Sequence, residues 1–287
     1  MKQITIISGK GGTGKTSIAA AFASLAKNAV LADCDVDAAD LHLVLKPDIK
    51  RTEGFHGLKI ASIDEEKCIL CRKCYNACKF EAINKDINII KEACEGCGVC
   101  AYVCPVDAIE MIDRDSGFSY ISETRFGPMS HAALNTAEEA SGKLVTVVRE
   151  NARKIAEDKG KDLIMIDGPP GIGCPVISAI TGVDLVLIVT EPTLSAISDL
   201  ERIAGVANHF DIPAIVCINK CGINLENETK IEDFCKEKKM DVVGKIPYDT
   251  TITEAMVNEK TIIEFSDGIL SEGIIKMWNE IQKILLV

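Results

Sequence analysis

The sequence Ser8-Gly9-Lys10-Gly11-Gly12-Thr13-Gly14-Lys15-Thr16 is the strongest indication of fold in this 287-residue chain. It follows a short run rich in β-branched residues, Gln3–Ile7, and precedes helix-forming residues that begin at Ser17. Its glycines allow backbone N–H groups to point at phosphate oxygens, Lys15 can neutralise the β- and γ-phosphates, and the Thr16 hydroxyl can bind Mg²⁺. The order of strand, loop and helix therefore predicts a P-loop with ATP or ADP and Mg²⁺ as ligands. The predicted nucleotide contacts are Gly9, Lys10, Gly11, Gly12, Thr13, Gly14, Lys15, Thr16 and Ser17.

Lys10 distinguishes this loop from an ordinary P-loop. With it, the pattern Gly-Lys-Gly-Gly-x-Gly-Lys-Thr resembles the deviant P-loop of the MinD/ParA/Mrp superfamily, which includes the nitrogenase iron protein. In that family the first lysine reaches across a dimer interface to the nucleotide of the partner. The resemblance implies catalytic roles for Lys10 and Lys15 and an α/β fold with a doubly wound, mostly parallel sheet. It also implies a homodimer, or a heterodimer with a related ATPase.

Two acidic segments resemble the switch regions of the same family. In the segment Asp33–Asp40, Asp35 matches by position the aspartate that orients the attacking water. Asp167 ends an apolar run and resembles the Walker B acid, which would hold Mg²⁺ through a water molecule. Asp33 and Asp40 are either further neighbours of Mg²⁺ or acids at a strand end, and the sequence leaves both roles open.

Two further strand ends supply candidate contacts to the nucleotide base. Asn219 follows the apolar run 214–218 and resembles the adenine-binding asparagine of the family. The segment Pro247-Tyr248-Asp249 follows the last predicted strand and also resembles a contact to the base edge. Open α/β sheets bind their ligands at the carboxyl ends of the strands, so we expect these residues to lie near the P-loop.

Eight of the 13 cysteines form two copies of one pattern, 26 residues apart. The copies are Cys68-x2-Cys71-x2-Cys74-x3-Cys78 and Cys94-x2-Cys97-x2-Cys100-x3-Cys104. This spacing is typical of two [4Fe–4S] clusters, in which the fourth cysteine of each run ligates the other cluster. The predicted ligand sets are Cys68, Cys71, Cys74 and Cys104 for one cluster, and Cys94, Cys97, Cys100 and Cys78 for the second. The pattern resembles bacterial two-cluster ferredoxins, except that Lys79 stands where the second copy has Pro105.

Zinc binding and disulfide bonds are the alternatives for these cysteines. Zinc sites use two separated cysteine pairs rather than triplets. Disulfides need an oxidising compartment, and the apolar run Gln3–Ile7 is too short before Gly9 for a signal peptide. We therefore expect reduced cysteines and a cytoplasmic location.

The cysteine segment interrupts the alternation of strand and helix signals along the chain. Those signals occupy residues 1–62 and 113–287, which predicts a discontinuous ATPase domain with an α+β ferredoxin domain inserted at residues 63–112. The resemblance then narrows to MinD-superfamily ATPases that contain an inserted ferredoxin domain. The sequence does not identify the role of residues 125–145.

Charge and hydropathy exclude two classes of partner. The formal charge of −11 argues against nucleic acid, because affinity for nucleic acid rests on lysines and arginines that neutralise phosphates. No uninterrupted apolar stretch reaches about 18 residues, so we expect no transmembrane segment. The amphipathic segment 274–287 is expected to dock on the core of the protein itself.

The combined patterns favour ATP hydrolysis that controls electron transfer through two [4Fe–4S] clusters to a redox partner protein. The alternatives are an ATPase that delivers a cluster or metallocofactor to an acceptor protein, and a MinD-type positioning ATPase. Cys174 matches one ligand of the subunit-bridging cluster of the nitrogenase iron protein, but no second cysteine matches. A bridging cluster at Cys174 therefore stays an open alternative.

Overall fold

Apolar runs rich in β-branched residues form the strands, and segments with helical periodicity form the helices that connect them. A computed structural model describes residues 1–136, 138 and 141–286. In chain order the elements are β1 Lys2–Ser8, α1 Lys15–Leu25, β2 Ala29–Asp33, α2 Leu41–Leu45, β3 Asp48–Ile63, α3 Lys73–Ala77, α4 Val99–Tyr102, β4 Ile109–Thr124, β5 Gly127–Leu134, α5 Ser141–Lys159, β6 Leu163–Pro170, α6 Cys174–Ile180, β7 Leu185–Thr190, α7 Leu194–His209, β8 Ala214–Cys221, α8 Leu225–Lys238, β9 Val242–Pro247, α9 Thr251–Val257, α10 Ile262–Phe265 and α11 Ile269–Leu285.

The strands form a nine-stranded sheet in the order β3-β4-β5-β2-β6-β1-β7-β8-β9. Strand β1 pairs in parallel with both neighbours, so that Ile4 is opposite Met165 of β6 and Leu185 of β7. The pairs β2–β5, β2–β6, β7–β8 and β8–β9 are also parallel. The predicted α/β fold with a mostly parallel sheet is confirmed. Because parallel strands point the same way, their carboxyl ends lie along one edge of the sheet.

The C-terminal helix α11 packs on the core through one face. Its residues Ile274, Met277, Trp278 and Ile281 are buried, and the Trp278 ring lies 4.9 Å from the ring of Phe22 in α1. The amphipathic C-terminal segment therefore docks on its own protein, as its periodicity predicts. No helix among the described residues is both long enough and apolar enough to cross a membrane.

The chain divides into two compact units. The larger unit comprises Met1–Glu53, Ser119–Ala133 and Ser141–Val287, and the cysteine unit comprises Gly54–Phe118 and Leu134–Ala140. Strands β3 and β4 each run from one unit into the other along the chain.

The cysteine unit has little apolar core of its own. One small cluster of buried residues contains Ile60, Ala61, Ala82 and Cys94, and another contains Cys74, Ile83 and Ile87. The predicted insert, residues 63–112, falls within this unit, and its assignment as a ferredoxin domain stays a prediction.

Candidate functional site

A cleft of about 470 Å³ opens at the carboxyl ends of the parallel strands in the larger unit. Its lining residues are Ser8, Gly11, Gly12, Thr13, Gly14, Lys15, Thr16, Ser17, Asp35, Ala38, Asp40, Pro170, Asn219, Lys220, Pro247, Tyr248, Asp249, Ile252, Thr253 and Met256. The structure thus brings seven of the nine predicted P-loop contacts together with Asp35, Asn219 and the segment 247–249. The other two, Gly9 and Lys10, line a small neighbouring pocket with Asp199.

Lys15 is the first residue of α1, and its side chain is buried. Its Nζ lies 2.6 Å from Asp167 Oδ1 and 3.5 Å from Asp35 Oδ2. Burial by itself lowers the pKa of Lys15, but attraction to Asp167 and Asp35 outweighs burial and raises this pKa above its ordinary value. Lys15 therefore stays a cation in the cleft, which is the state that attracts phosphate oxygens.

One carboxylate oxygen of Asp167 has no hydrogen-bond partner among the described residues. Its Oδ1 accepts a hydrogen bond from Lys15, whereas its Oδ2 is buried and has no hydrogen-bond partner among the described residues. A buried polar atom without a partner destabilises a protein unless a ligand or water completes it. Near it, the Thr16 hydroxyl lies 3.2 Å from Lys15 Nζ. These oxygen donors fit Mg²⁺, which binds through one or two protein groups and retains several waters.

Asp33 shapes the loop that carries Asp35. Its carboxylate oxygens accept hydrogen bonds from the backbone N–H of Asp35, at 3.1 Å, and of Leu41, at 3.3 Å. Burial, together with the charge of Asp167, raises the pKa of Asp33 well above its ordinary value. Asp33 is therefore a structural acid of the loop, whereas Asp40 lines the cleft.

Asp35 lies beside Lys15 at the cleft, where the sequence predicts a catalytic carboxylate. Its carboxylate lies near the Lys15 ammonium group and faces the cleft. Burial raises the pKa of Asp35 to about 6, although attraction to Lys15 opposes the rise. A carboxylate with this pKa is ionised at neutral pH and can still accept a proton, as a group that orients or activates water requires.

Lys10 is held outside the cleft by residues that follow β7. Its Nζ lies 2.6 Å from Glu191 Oε1 and about equally close, at 3.2 and 3.1 Å, to the hydroxyl oxygens of Thr193 and Ser195. Glu191 also binds Lys220, whose Nζ lies 2.7 Å from Oε2. Burial alone raises the pKa of Glu191, but hydrogen bonds from Lys10 and Lys220 outweigh it and lower this pKa below its ordinary value.

Sequence reasoning did not identify Glu191 or Lys220 as parts of the site. Lys220 also donates a hydrogen bond to the carbonyl oxygen of Gly12, at 2.7 Å, and so supports the P-loop. Both residues stand at or just after the carboxyl end of a parallel strand. The rule that selected Asn219 was therefore available for them as well.

Asn219 supports the P-loop from β8. Its Nδ2 donates a hydrogen bond to the carbonyl oxygen of Thr13, at 2.7 Å. Gly14 has a φ of 88°, and a Cβ atom there would lie 2.3 Å from Asn219 Nδ2, so this position requires glycine. The predicted contacts of Asn219 and of residues 247–249 with the base stay predictions.

In the cysteine unit, one small cavity is lined by four cysteines drawn from both repeats. They are Cys78, Cys94, Cys97 and Cys100, the set that the sequence predicts for the second cluster. All eight cysteines of the repeats are free thiols. The donor chemistry therefore fits an iron–sulfur cluster, which is held by cysteine thiolates.

Backbone amides point at the fourth cysteine of each repeat. The N–H of Ala82 donates to Cys78 Sγ, and the N–H of Ala108 donates to Cys104 Sγ, each at 3.3 Å. Hydrogen bonds to cluster sulfurs help to set reduction potentials. Among the described residues, no three His, Cys, Asp or Glu side chains are grouped around a position for a single metal ion. A cubane has four separate iron atoms, so its four sulfur ligands need not converge on one point.

The two cysteine repeats have the same backbone conformation at equivalent positions. Leu70 and Arg72 have φ angles of 53° and 60°, and Gly96 and Gly98, 26 residues later, have 64° and 76°. Helix α3 begins after Arg72, and α4 begins after Gly98. The first repeat thus reaches with ordinary residues a left-handed conformation that favours glycine.

Arg125 gives part of the segment 125–145 a structural role. It donates hydrogen bonds to the carbonyl oxygens of Val44, at 2.9 Å, and Leu45, at 3.0 Å, and so caps α2. It also pairs with Glu264 at 2.8 Å, and its hydrogen bonds lower the pKa of Glu264 to about 2. Arg125 therefore fixes the helix that follows the loop of Asp33 and Asp35.

The five cysteines outside the repeats are divided by burial. Cys34, Cys217 and Cys235 are buried, and Cys221 is half-buried. Cys174 is exposed at the start of α6. The question of a bridging cluster at Cys174 stays open.

A glycine-rich loop between a central parallel strand and a helix, with a buried lysine beside two carboxylates, defines a P-loop nucleotide-binding protein. The family model for the CobQ/CobB/MinD/ParA nucleotide binding domain matches residues 4–262. The chain belongs to this family and is a MinD/ParA-type ATPase.

Three relatives show how far the similarity extends. The chain is 35% identical over 286 residues to Uncharacterized protein MJ0578 of Methanocaldococcus jannaschii, which covers 99% of this chain and 97% of that protein. It is 45% identical over 49 residues to Pyruvate synthase subunit PorD of Methanothermobacter marburgensis, covering 17% of this chain and 60% of that one. The crystal structure of the cell division ATPase MinD of Pyrococcus furiosus matches with a TM-score of 0.59 at 21% identity, over 99% of both chains. The last similarity is one of fold.

Proposed function

We propose that this chain is an ATPase whose nucleotide state controls electron transfer through two [4Fe–4S] clusters to a partner protein. The observation that carries the proposal is the cavity that unites Cys78 of the first repeat with Cys94, Cys97 and Cys100 of the second. This crossed combination is the one expected when the fourth cysteine of each run ligates the other cluster. When bound, the clusters supply reversible one-electron chemistry. The 49-residue similarity to a pyruvate synthase subunit gives further support.

The residues of the cleft are suited to binding and hydrolysing ATP. Lys15 and the loop N–H groups bind the phosphates, and Thr16 and Asp167 hold Mg²⁺, Asp167 through water. Asp35 orients the attacking water and accepts its proton. Lys10 leaves Glu191 to reach the nucleotide of a second subunit, either identical or related.

The chain itself connects the cleft to the cysteine unit. The loop that carries Asp35 leads through the five-residue helix α2 into β3, whose later residues belong to the cysteine unit. Arg125 fixes the last turn of α2. A rearrangement of this loop on ATP binding or hydrolysis therefore acts on β3 through a short, braced element. Because the thiolates must stay reduced, we assign the protein to the cytoplasm.

The first experiment is an anaerobic redox titration followed by EPR, without nucleotide, with ADP and with a non-hydrolysable ATP analogue. We expect about eight iron and eight sulfide per chain, as two cubanes require. We also expect a nucleotide-dependent shift of about 60 mV in at least one potential, which is a tenfold change in a one-electron equilibrium.

Other outcomes would redirect the assignment. Protein without iron after anaerobic purification and reconstitution would refute the cluster sites. Full iron content with unchanged potentials, together with ATP-dependent transfer of iron to an apo-acceptor, would favour cluster delivery. ATP-dependent lipid binding that persists in a variant with all eight cysteines replaced would favour a positioning ATPase.

A further inference from the structure

The two cysteine loops share a backbone conformation but present different surfaces. Residues 69–73 read Ile-Leu-Cys-Arg-Lys, and the equivalent residues 95–99 read Glu-Gly-Cys-Gly-Val. Each loop carries one exposed cysteine, Cys71 or Cys97. If both clusters are present, each has a ligand through which electrons can reach the surface.

The second loop is packed against its own unit. A Cβ atom at Gly96 would lie 2.2 Å from the carbonyl oxygen of Lys59 in β3. The equivalent residue of the first loop, Leu70, is 67% exposed, and Ile69 beside it is 60% exposed. The first loop therefore leaves a large apolar side chain in water at the position where the second loop packs its Gly96 against β3.

This exposure comes with backbone strain. Leu70 and Arg72 occupy the left-handed region, which is unfavourable for residues with a Cβ atom. Strained backbone and adjacent exposed apolar side chains both mark surfaces that act in binding. Neither feature is needed to hold a cluster, because the second loop has the same course with glycines at 96 and 98.

The charge of the first loop indicates what binds there. Arg72 and Lys73 are exposed and form no ion pair with any residue that the structure describes. In the second loop the charged residue is Glu95. The exposed Glu65 and Glu66 precede Cys68, and Lys67, which follows them, is paired with Asp64. Among the described residues 64–73, the cations without an ion pair are therefore Arg72 and Lys73. Such a surface is complementary to an acidic one.

We propose that residues 69–73 form a docking surface for an acidic electron-transfer protein, and that electrons leave through the cluster ligated by Cys71. Ile69 and Leu70 supply the apolar contact, and Arg72 and Lys73 orient the encounter. In each event one electron passes from the reduced cluster to the oxidised centre of the partner, and no bond forms or breaks. This inference rests on the proposed function, because it requires the clusters.

The test uses anaerobic, fully loaded protein on gold electrodes coated with carboxylate-terminated or ammonium-terminated alkanethiols. The carboxylate layer represents the acidic partner, and the interfacial electron-transfer rate is measured by voltammetry. The double variant Arg72→Glu/Lys73→Glu is compared with Lys85→Glu/Lys91→Glu, which makes the same charge change at exposed positions elsewhere in the unit. Leu70→Gly removes the apolar side chain, and glycine adopts the positive φ of this position without strain. The variant should therefore fold, so that it tests the surface itself. Iron content and cluster absorbance confirm that each variant is loaded.

On the carboxylate layer we expect Arg72→Glu/Lys73→Glu to lower the rate about tenfold or more, and Lys85→Glu/Lys91→Glu to change it less than twofold. Leu70→Gly should lower the rate severalfold. Equal losses in both double variants, or wild-type transfer that is faster on the ammonium layer, would overturn the docking assignment. Wild-type protein that holds no iron would refute the proposed function instead.

Discussion

The nucleotide cleft and the cysteine unit differ in how far their own side-chain contacts hold the site in place without a ligand. In the cleft Lys15 pairs with Asp167, and beside the cleft Lys10 and Lys220 pair with Glu191. In the cysteine unit, the eight thiols of the repeats are free, and two apolar clusters among the described residues have four and three fully buried members, with partly buried residues around them. The cleft is thus organised by its own ion pairs, whereas the cysteine unit needs a further source of stability. Metal centres supply such stability in small units, since binding free energy is also folding free energy.

Backbone strain is denser in the cysteine unit than in the larger unit. Among the described residues of the cysteine unit, five with a Cβ atom have positive φ: Leu70, Arg72, Glu81, Ile87 and Asp107. Each such residue costs about 1–2 kcal/mol, and a small core compensates little of it. The P-loop places positive φ at Gly12 and Gly14, where the cost is small, although Lys220 at the cleft also has a φ of 57°. The larger unit can offset such strain with its much larger buried core. We therefore expect the larger unit to form its site before ligand binds, and the cysteine unit to form its site around the ligand.

Removal of the proposed clusters is the most severe test of this contrast. Stripping iron and sulfide with EDTA and ferricyanide should unfold residues 54–118 while the larger unit stays folded. Hydrogen exchange with mass spectrometry should show lost amide protection across the cysteine unit, and ATP affinity should change by less than about twofold. Reconstitution with iron and sulfide is the control and should restore protection. Protection that survives stripping would break the comparison.

Asp35→Asn tests whether the charges of the cleft serve chemistry as well as structure. Because the pair of Lys15 with Asp167 remains, ATP should still bind, and hydrolysis should fall about 100-fold or more. The pKa of Asp35 is raised to about 6, so the wild-type carboxylate is lost as the pH falls through 6. Wild-type turnover should therefore decline below pH 6, and this decline should be missing from the residual rate of the variant. Steady-state phosphate release from pH 5 to 8 measures both effects, and unchanged turnover would assign the role to another residue.

Gly96→Ala and Gly98→Ala form a matched pair within the cysteine unit. Both positions have positive φ, but a Cβ atom meets Lys59 at Gly96 and open space at Gly98. Gly98→Ala should cost about 1 kcal/mol, as for any residue placed in the left-handed region. Gly96→Ala should cost about 3 kcal/mol or more, because overlap with backbone adds to this. Denaturant unfolding of the loaded proteins gives the two values, and equal losses would show that the loop does not rest on β3.

The sequence predicted those parts of the molecule whose chemistry is local. The P-loop and the order of strand and helix follow from residue spacing. The ligand set predicted for the second cluster stays a prediction, although its four cysteines line one cavity. The ion pair between Lys10 and Glu191 was not predicted, because it depends on the pairing of β1 with β7 rather than on a local sequence pattern. The left-handed backbone at Leu70 and Arg72 was missed for a different reason. Leucine and arginine do not predict a left-handed conformation, whereas the glycines at the equivalent positions 96 and 98 do.

Glu191→Gln is expected to give the smallest effect. It tests whether the Lys10–Glu191 ion pair of the free subunit opposes dimer formation. If Glu191 holds Lys10 away from a second subunit, loss of its charge should favour the ATP-bound dimer. Lys10 is about one-third exposed, so each pair is worth at most about 1 kcal/mol. Because both subunits of a homodimer release the pair, the dimer should tighten by about 30-fold or less. Analytical ultracentrifugation with a non-hydrolysable ATP analogue measures the dimer affinity, and Lys10→Ala is the opposing control, which should abolish the dimer. A weaker dimer in Glu191→Gln would mean that Glu191 orients Lys10 towards the partner subunit. The Lys10–Glu191 pair of the free subunit would then already have the geometry that it has in the dimer.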